Sequence, residues 1–162
     1  MRFDLVHLFQ QSIEFFSVAR PALFALLQQQ KIRGPIAIAT GAIAGSITRY
    51  YLGIWFLGKF GKTFPYGTLF INTTGCFAMG FFVTFALEGT TTIPPEIRLL
   101  IAVGFLGSYT TFSSYELESM SLLKQGNMLP AAVYWLGSAI VGIVSLQLGH
   151  ILAKLIIKTN FF

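Results

Sequence analysis

Charge is scarce in this sequence. Its 162 residues include eleven Lys or Arg and six Asp or Glu, 10% in all, where soluble domains carry about 25%. A surface so poorly supplied with charge excludes a typical soluble enzyme core. Disorder is excluded by the opposite excess, since 54% of the residues are hydrophobic and the mean hydropathy is +0.70. Cysteine is nearly absent. Cys76 stands alone, which rules out an intrachain disulfide scaffold, and its place inside an apolar run suits a small packing residue. The basic residues form no stripe. The net charge of +5 comes from Lys and Arg scattered singly or in loose pairs, as they flank bilayer-inserted helices, so nucleic acid is not an expected partner. No nucleotide-binding loop or ATPase motif appears either, which agrees with a protein that works without ATP.

What remains is long and apolar. Uncharged runs cover 63–87, 99–115 and 125–153, whereas residues 1–35 hold six of the 17 charges. About 20 apolar residues span a bilayer, and four spans fit from Ile36 onward, at about 36–57, 67–87, 97–123 and 130–157. The expected fold is an all-α membrane protein with short connections, an antiparallel bundle with both ends on one side. Lys31, Arg33, Arg98, Lys154 and Lys158 collect there, against Lys59, Lys62 and Lys124 opposite, which gives the chain no firm orientation. Residues 1–35 form a separate extension. Val6, Phe9, Ile13 and Phe16 recur at helical spacing among polar residues, which predicts an amphipathic helix ending near Arg20–Pro21 and lying on the membrane surface. Gly41 and Gly45 form a GxxxG pair, and Gly137, Gly142 and Gly149 punctuate the fourth span, so helices can approach closely at those points.

Candidate chemistry concentrates where polar groups fall in the spans. The segment GFLGSYTTFSSY, residues 104–115, carries two glycines and five Ser or Thr where the third span crosses mid-membrane. Two readings fit it. In one the helix breaks and turns carbonyls inward, Gly107 and Thr110 being the candidate ligands of a hard monovalent cation. In the other, the hydroxyls bond back to their own turn. Asn72 is an amide in hydrocarbon with Thr68 one turn earlier; it demands a partner, either another helix or a permeating species. Phe112 and Tyr115 share a helix face with Ser113 and Ser114, and ring edges carry partial positive charge, so they suit a small anion held weakly enough to leave. Arg49 lies about fourteen residues into the first span and either draws anions to a vestibule or caps a neighbouring helix. Glu118 can accept hydrogen bonds at a pathway mouth, and Glu116 reads as an outward-facing interfacial residue. Ser138 and Ser145, with Tyr134 a turn before, give the fourth span a polar face.

The strings GAIAGSITRY (41–50), GTLFIN (67–72) and GFLGSYTTFSS (104–114) resemble, in order, the motifs of the Fluc (CrcB) fluoride channels, over about residues 36–157. The resemblance implies a four-span subunit with a broken third helix in an antiparallel, dual-topology homodimer, with two fluoride pathways and one structural sodium ion at the centre. The sodium ligands would be the carbonyls of Gly107 and Thr110 from both subunits. The pathway would use Asn72, Thr68, Phe112, Ser113, Ser114, Ser138 and Glu118, with Arg49 at the vestibule. Tyr115 stands where the family usually has phenylalanine, and Gly142 where the polar track would continue with a hydroxyl. The implied function is passive, selective export of fluoride across the plasma membrane, protecting the cell. The rival is a small dual-topology, proton-coupled multidrug exporter. That chemistry wants an early membrane carboxylate, and the first span offers Arg49 instead.

Overall fold

The computed structural model describes residues 33–89 and 92–159, together with Gln10, Glu14, Ser17 and Pro21. The surface helix expected to end near Arg20–Pro21 otherwise falls outside the described residues. Among those described, the chain is entirely helical: α1 (Arg33–Phe60), α2 (Tyr66–Glu88), α3 (Pro95–Arg98), a π-helical segment (Leu99–Leu106), α4 (Gly107–Tyr109), α5 (Phe112–Lys124) and α6 (Met128–Thr159). Residues 95–124 form one long rod interrupted at Thr110 and Thr111.

Tyr66–Glu88, residues 95–124 and Met128–Thr159 are long and apolar enough to cross a membrane, which makes this a multi-pass membrane protein. α1 is equally long but less apolar, because it includes Arg33, Arg49 and Lys59. Its start at Arg33 takes Gly34 and Pro35 into the first turn, where the missing proline N–H costs nothing. Wide apolar faces stay exposed: Ile36, Ile43 and Ile47 on α1, and Ile140, Ile143 and Val144 on α6.

Turns are set by glycine. Gly61 (φ +71°) bonds its N–H to Leu57 O and reverses the chain between α1 and α2. Between α5 and α6, Gly126 (φ +78°) forms a Schellman cap, with Gly126 N–H on Leu123 O and Asn127 N–H on Leu122 O. Both positions favour glycine because a Cβ would strain the left-handed backbone.

Sequential helices alternate in direction, yet the tightest packing is between alternate helices. α1 lies on the π-helical segment, where a methyl group on Gly41 would strike Leu100 O and one on Gly45 would strike Phe105 O. α2 lies on α6, with Gly80 against Leu146 O and Gly149 against Phe77 O. Their contacts advance together along both helices. Ser145 donates to Thr73 O at 2.8 Å, Thr84 Oγ1 lies 2.8 Å from His150 Nδ1, and Lys154 meets Glu88 at 3.6 Å. The pair is therefore parallel. The expected GxxxG contact and Gly149 are close-approach sites, whereas Gly137 faces open space and Gly142 is in ordinary contact range of Cys76 Sγ. The π-helical turn of LLIAVGFL has no local breaker besides Gly104, itself against Ile38 O, so its signal lies in the packing on α1 rather than in the segment.

Candidate functional site

The rod breaks because Asn72 of α2 takes hold of the backbone at Thr111. Its Nδ2 donates to Thr111 O at 2.9 Å and its Oδ1 accepts from Thr111 N at 2.8 Å. In an unbroken helix that N–H would serve Gly107 O. Here Thr110 (φ −77°, ψ 157°) and Thr111 (φ −148°, ψ 117°) are extended, and α5 restarts with Thr111 as its N-cap, its Oγ1 accepting from Ser114 N. Some hydroxyls do bond back to their own turn, as Thr110 Oγ1 does to Leu106 O at 3.0 Å. The two readings of 104–115 thus coexist in one segment, and the break dominates.

Gly107 and Thr110 sit on either side of the last turn before the break; Gly107 is exposed and Thr110 half-buried. Arg49 reaches Thr110 O with Nη1 at 3.4 Å, a long contact that caps the end of α4 as a cation should. The carbonyl keeps a second lone pair. No group of three or more His, Cys, Asp or Glu side chains gathers among the described residues.

On one side of the break, α1, α2 and α5 enclose a cavity of about 520 Å³ lined by Arg49, Ser46, Thr68, Thr111, Ser114 and Glu118. Glu118 is held by two hydroxyls, Thr68 Oγ1 donating to Oε1 at 2.8 Å and Tyr134 OH to Oε2 at 2.7 Å. A second cavity of about 290 Å³, lined by Lys62, Tyr66 and Gln125, joins the first at Thr68 and Glu118 and leads to the Gly61 turn. Lys62 and the Glu118 carboxylate both line this second cavity.

On the other side lies an open groove of about 620 Å³ between α2, α5 and α6, lined by Asn72, Thr110, Thr111, Phe112, Tyr115 and Ser138. Phe112 is 73% exposed, and its ring centroid is 5.7 Å from that of buried Tyr115 at an interplanar angle of 46°. The Tyr115 hydroxyl is engaged within the protein, donating to Trp135 O at 2.5 Å, and Trp135 lines the same groove. Ser138 Oγ is buried with no hydrogen-bond partner among the described residues. Ser113 is exposed, 3.4 Å from the Thr111 hydroxyl. Gly142 and Cys76 complete the groove wall where a further hydroxyl was expected. The arrangement offers ring edges, amide and hydroxyl groups, with Arg49 behind the break.

These contacts assemble the motifs of an existing family. The family model described as CrcB-like protein, Camphor Resistance (CrcB), matches residues 36–150. The chain belongs to this CrcB-like family. Among its relatives is a fluoride-specific ion channel FluC of Trichormus variabilis, 61% identical over 130 residues, an alignment covering 80% of this chain and 95% of the relative. Fluoride-specific ion channel FluC proteins of a Synechococcus sp. and a Synechocystis sp. are 56% and 46% identical, over 76% of this chain in each case and 95% and 94% of those relatives. The stretch that the CrcB-like model matches contains every candidate site residue.

Within that CrcB-like site, sequence reasoning gathered Asn72, Thr68, Arg49, Glu118, Phe112, Tyr115, Ser113, Ser114 and Ser138 about one break, and the structure brings all of them to its two sides. It missed Thr111, whose signal was its place directly before the polar helix start, and the bond from Tyr134 to Glu118. Glu116, read as outward-facing, accepts from Trp135 Nε1 at 3.3 Å and lines the groove, because the indole reaches back from α6.

Proposed function

We infer that this chain is a passive, fluoride-selective channel that lets cytoplasmic fluoride leave the cell through the plasma membrane. The observation that carries the reading is the broken third rod. It gathers ring edges, an amide and several hydroxyls on an apolar groove, with one cation, Arg49, close behind. Such donors suit a small, strongly hydrogen-bonding anion, and without a full positive charge in the groove they bind weakly enough to release it. Relatives named as fluoride-specific channels, aligned over nearly their whole length, support the same ion.

The functional unit is an antiparallel homodimer with two pathways, and α1 is the fourth span of each subunit. Two features support this. The groove is open on one side with Phe112 exposed, and the two carbonyls assigned here to a cation, those of Gly107 and Thr110, would be too few from one chain. A second copy would close the groove and double the oxygen set. A bound sodium ion would supply positive charge at the centre of the assembly and tie the two breaks together. Asn72, Thr68, Phe112, Tyr115, Ser113, Ser114, Ser138, Glu118 and Arg49 are assigned to the pathway, with Tyr115 contributing its ring.

Purified protein in liposomes tests the function. With a potassium ionophore clamping the voltage, fluoride should leave rapidly while chloride hardly moves. Equal efflux of the two ions would sink the reading.

A further inference from the structure

Two clefts flank the break, and among the described residues Thr111 is the one lining both: Arg49, Thr68 and Glu118 line one, whereas Asn72, Phe112 and Ser138 line the other. Thr111 therefore stands where the two adjoin. We propose that the Thr111 hydroxyl is the hydrogen-bond donor that hands a small, hard anion from the Arg49–Glu118 cavity to the aromatic groove. This rests on the fluoride-channel reading and adds a residue to it.

The chemistry of the hydroxyl supports the role. Its oxygen accepts the Ser114 N–H at 3.3 Å, which caps α5, while its proton points to Ser114 Oγ at 3.0 Å. Capping therefore uses the lone pair, and the proton is the part that can turn. Rotation about one bond moves that proton to a passing anion without uncapping the helix. The backbone cannot move with it, because Asn72 holds both Thr111 N and Thr111 O. Thr111 is 8% exposed, so a proton that leaves Ser114 meets an ion or falls back on the long, 3.4 Å contact with Ser113 Oγ. On the groove side the Ser138 hydroxyl, its Oγ buried and without a partner among the described residues, is a second donor that can receive the ion. A donor that swings on a fixed backbone, between two cavities, suits an ion that must be bound and released in turn.

Three variants separate donation from capping. Thr111→Ser keeps both functions. Thr111→Val loses both. Thr111→Asp keeps an oxygen to accept the Ser114 N–H but has no proton to give at neutral pH, and it places a negative charge at the crossing. All three are reconstituted in full-length form, with fluoride efflux and thermal melting measured on the same preparations. Loss of one hydrogen bond to the passing ion corresponds to about a tenfold fall in rate. Val and Asp should therefore show a fall of about tenfold or more, whereas Ser stays within about threefold of wild type, a range below the weight of one hydrogen bond. The Asp variant should melt with the wild type. Wild-type efflux from either Val or Asp overturns the assignment. So does a Val variant whose lost efflux is matched by a lost melting transition while the Asp variant, which keeps the cap, stays normal in both, since Thr111 would then be only a cap. A wild-type protein that moves no fluoride overturns the channel reading itself, and this assignment with it.

Discussion

Replacing Asn72 with alanine tests how the break is held. The side chain makes two hydrogen bonds to the backbone of one residue, at 2.9 and 2.8 Å, and that residue, Thr111, is 8% exposed. Truncation leaves one buried N–H and one buried C=O without partners, each costing about 1–3 kcal/mol. Interhelical hydrogen bonds in membranes average about 0.6 kcal/mol and reach about 1.7, because freed groups find substitutes. A substitute exists here, since Thr111 N–H can return to Gly107 O if the rod straightens. The expected loss is therefore about 2–3 kcal/mol, a fall in melting temperature of about 5–10 °C for a chain of this size. Straightening would also withdraw the Gly107 carbonyl from any ion. Asn72→Asp sharpens the test. It keeps the acceptor for Thr111 N–H but sets a carboxylate oxygen against Thr111 O, so it should be at least as damaging. The assay is detergent melting of both variants, with fluoride efflux from liposomes in parallel. If the alanine variant melts within about 0.5 kcal/mol of wild type, a margin typical of sites away from any structural feature, the amide does not hold the break. If it also conducts normally, Asn72 leaves the pathway altogether.

Other substitutions check separate parts of the argument. Phe112→Ile should suppress fluoride efflux while the dimer survives in size-exclusion chromatography, since it removes a largely exposed ring edge and little packing; normal flux would remove the ring from the pathway. Tyr115→Phe should cost about 1 kcal/mol of stability through the lost bond to Trp135 O, with fluoride-over-chloride selectivity unchanged. A changed selectivity would place the hydroxyl in the groove. Gly80→Ala and Gly149→Ala should each destabilise by about 1–3 kcal/mol, because the added methyl meets backbone oxygen on the facing helix. Gly137→Ala, with open space around it, should be neutral or stabilise by up to about 1 kcal/mol. Melting curves that fail to separate Gly137 from the other two would undo the packing account of α2 and α6.

Much of this protein is legible in its sequence because hydrocarbon restricts the choices. Uncharged runs of about 20 residues become helices, since no other open structure satisfies its backbone in lipid. A polar residue within such a run must find a partner, which is why Asn72, Arg49 and the 104–115 segment could be singled out before any coordinates. The clustering of Ser, Thr and Gly also marked the break to within a few residues of Thr110 and Thr111. The partners themselves were not legible. Asn72 had an amide that suited an ion or another helix equally, and only the fold brought it to the Thr111 backbone. Arg49 had two readings, and the approach of α1 to the third rod made it a cap on Thr110 O as well as a wall of the cavity it lines with Glu118. The Tyr115 hydroxyl faces α6 because Trp135 O lies within its reach. Composition determined that the chain enters a membrane and which polar residues within the spans need partners. Tertiary structure decided which lone pair and which proton meet there, because a hydrogen bond needs a distance and a direction, and sequence spacing gives neither between helices.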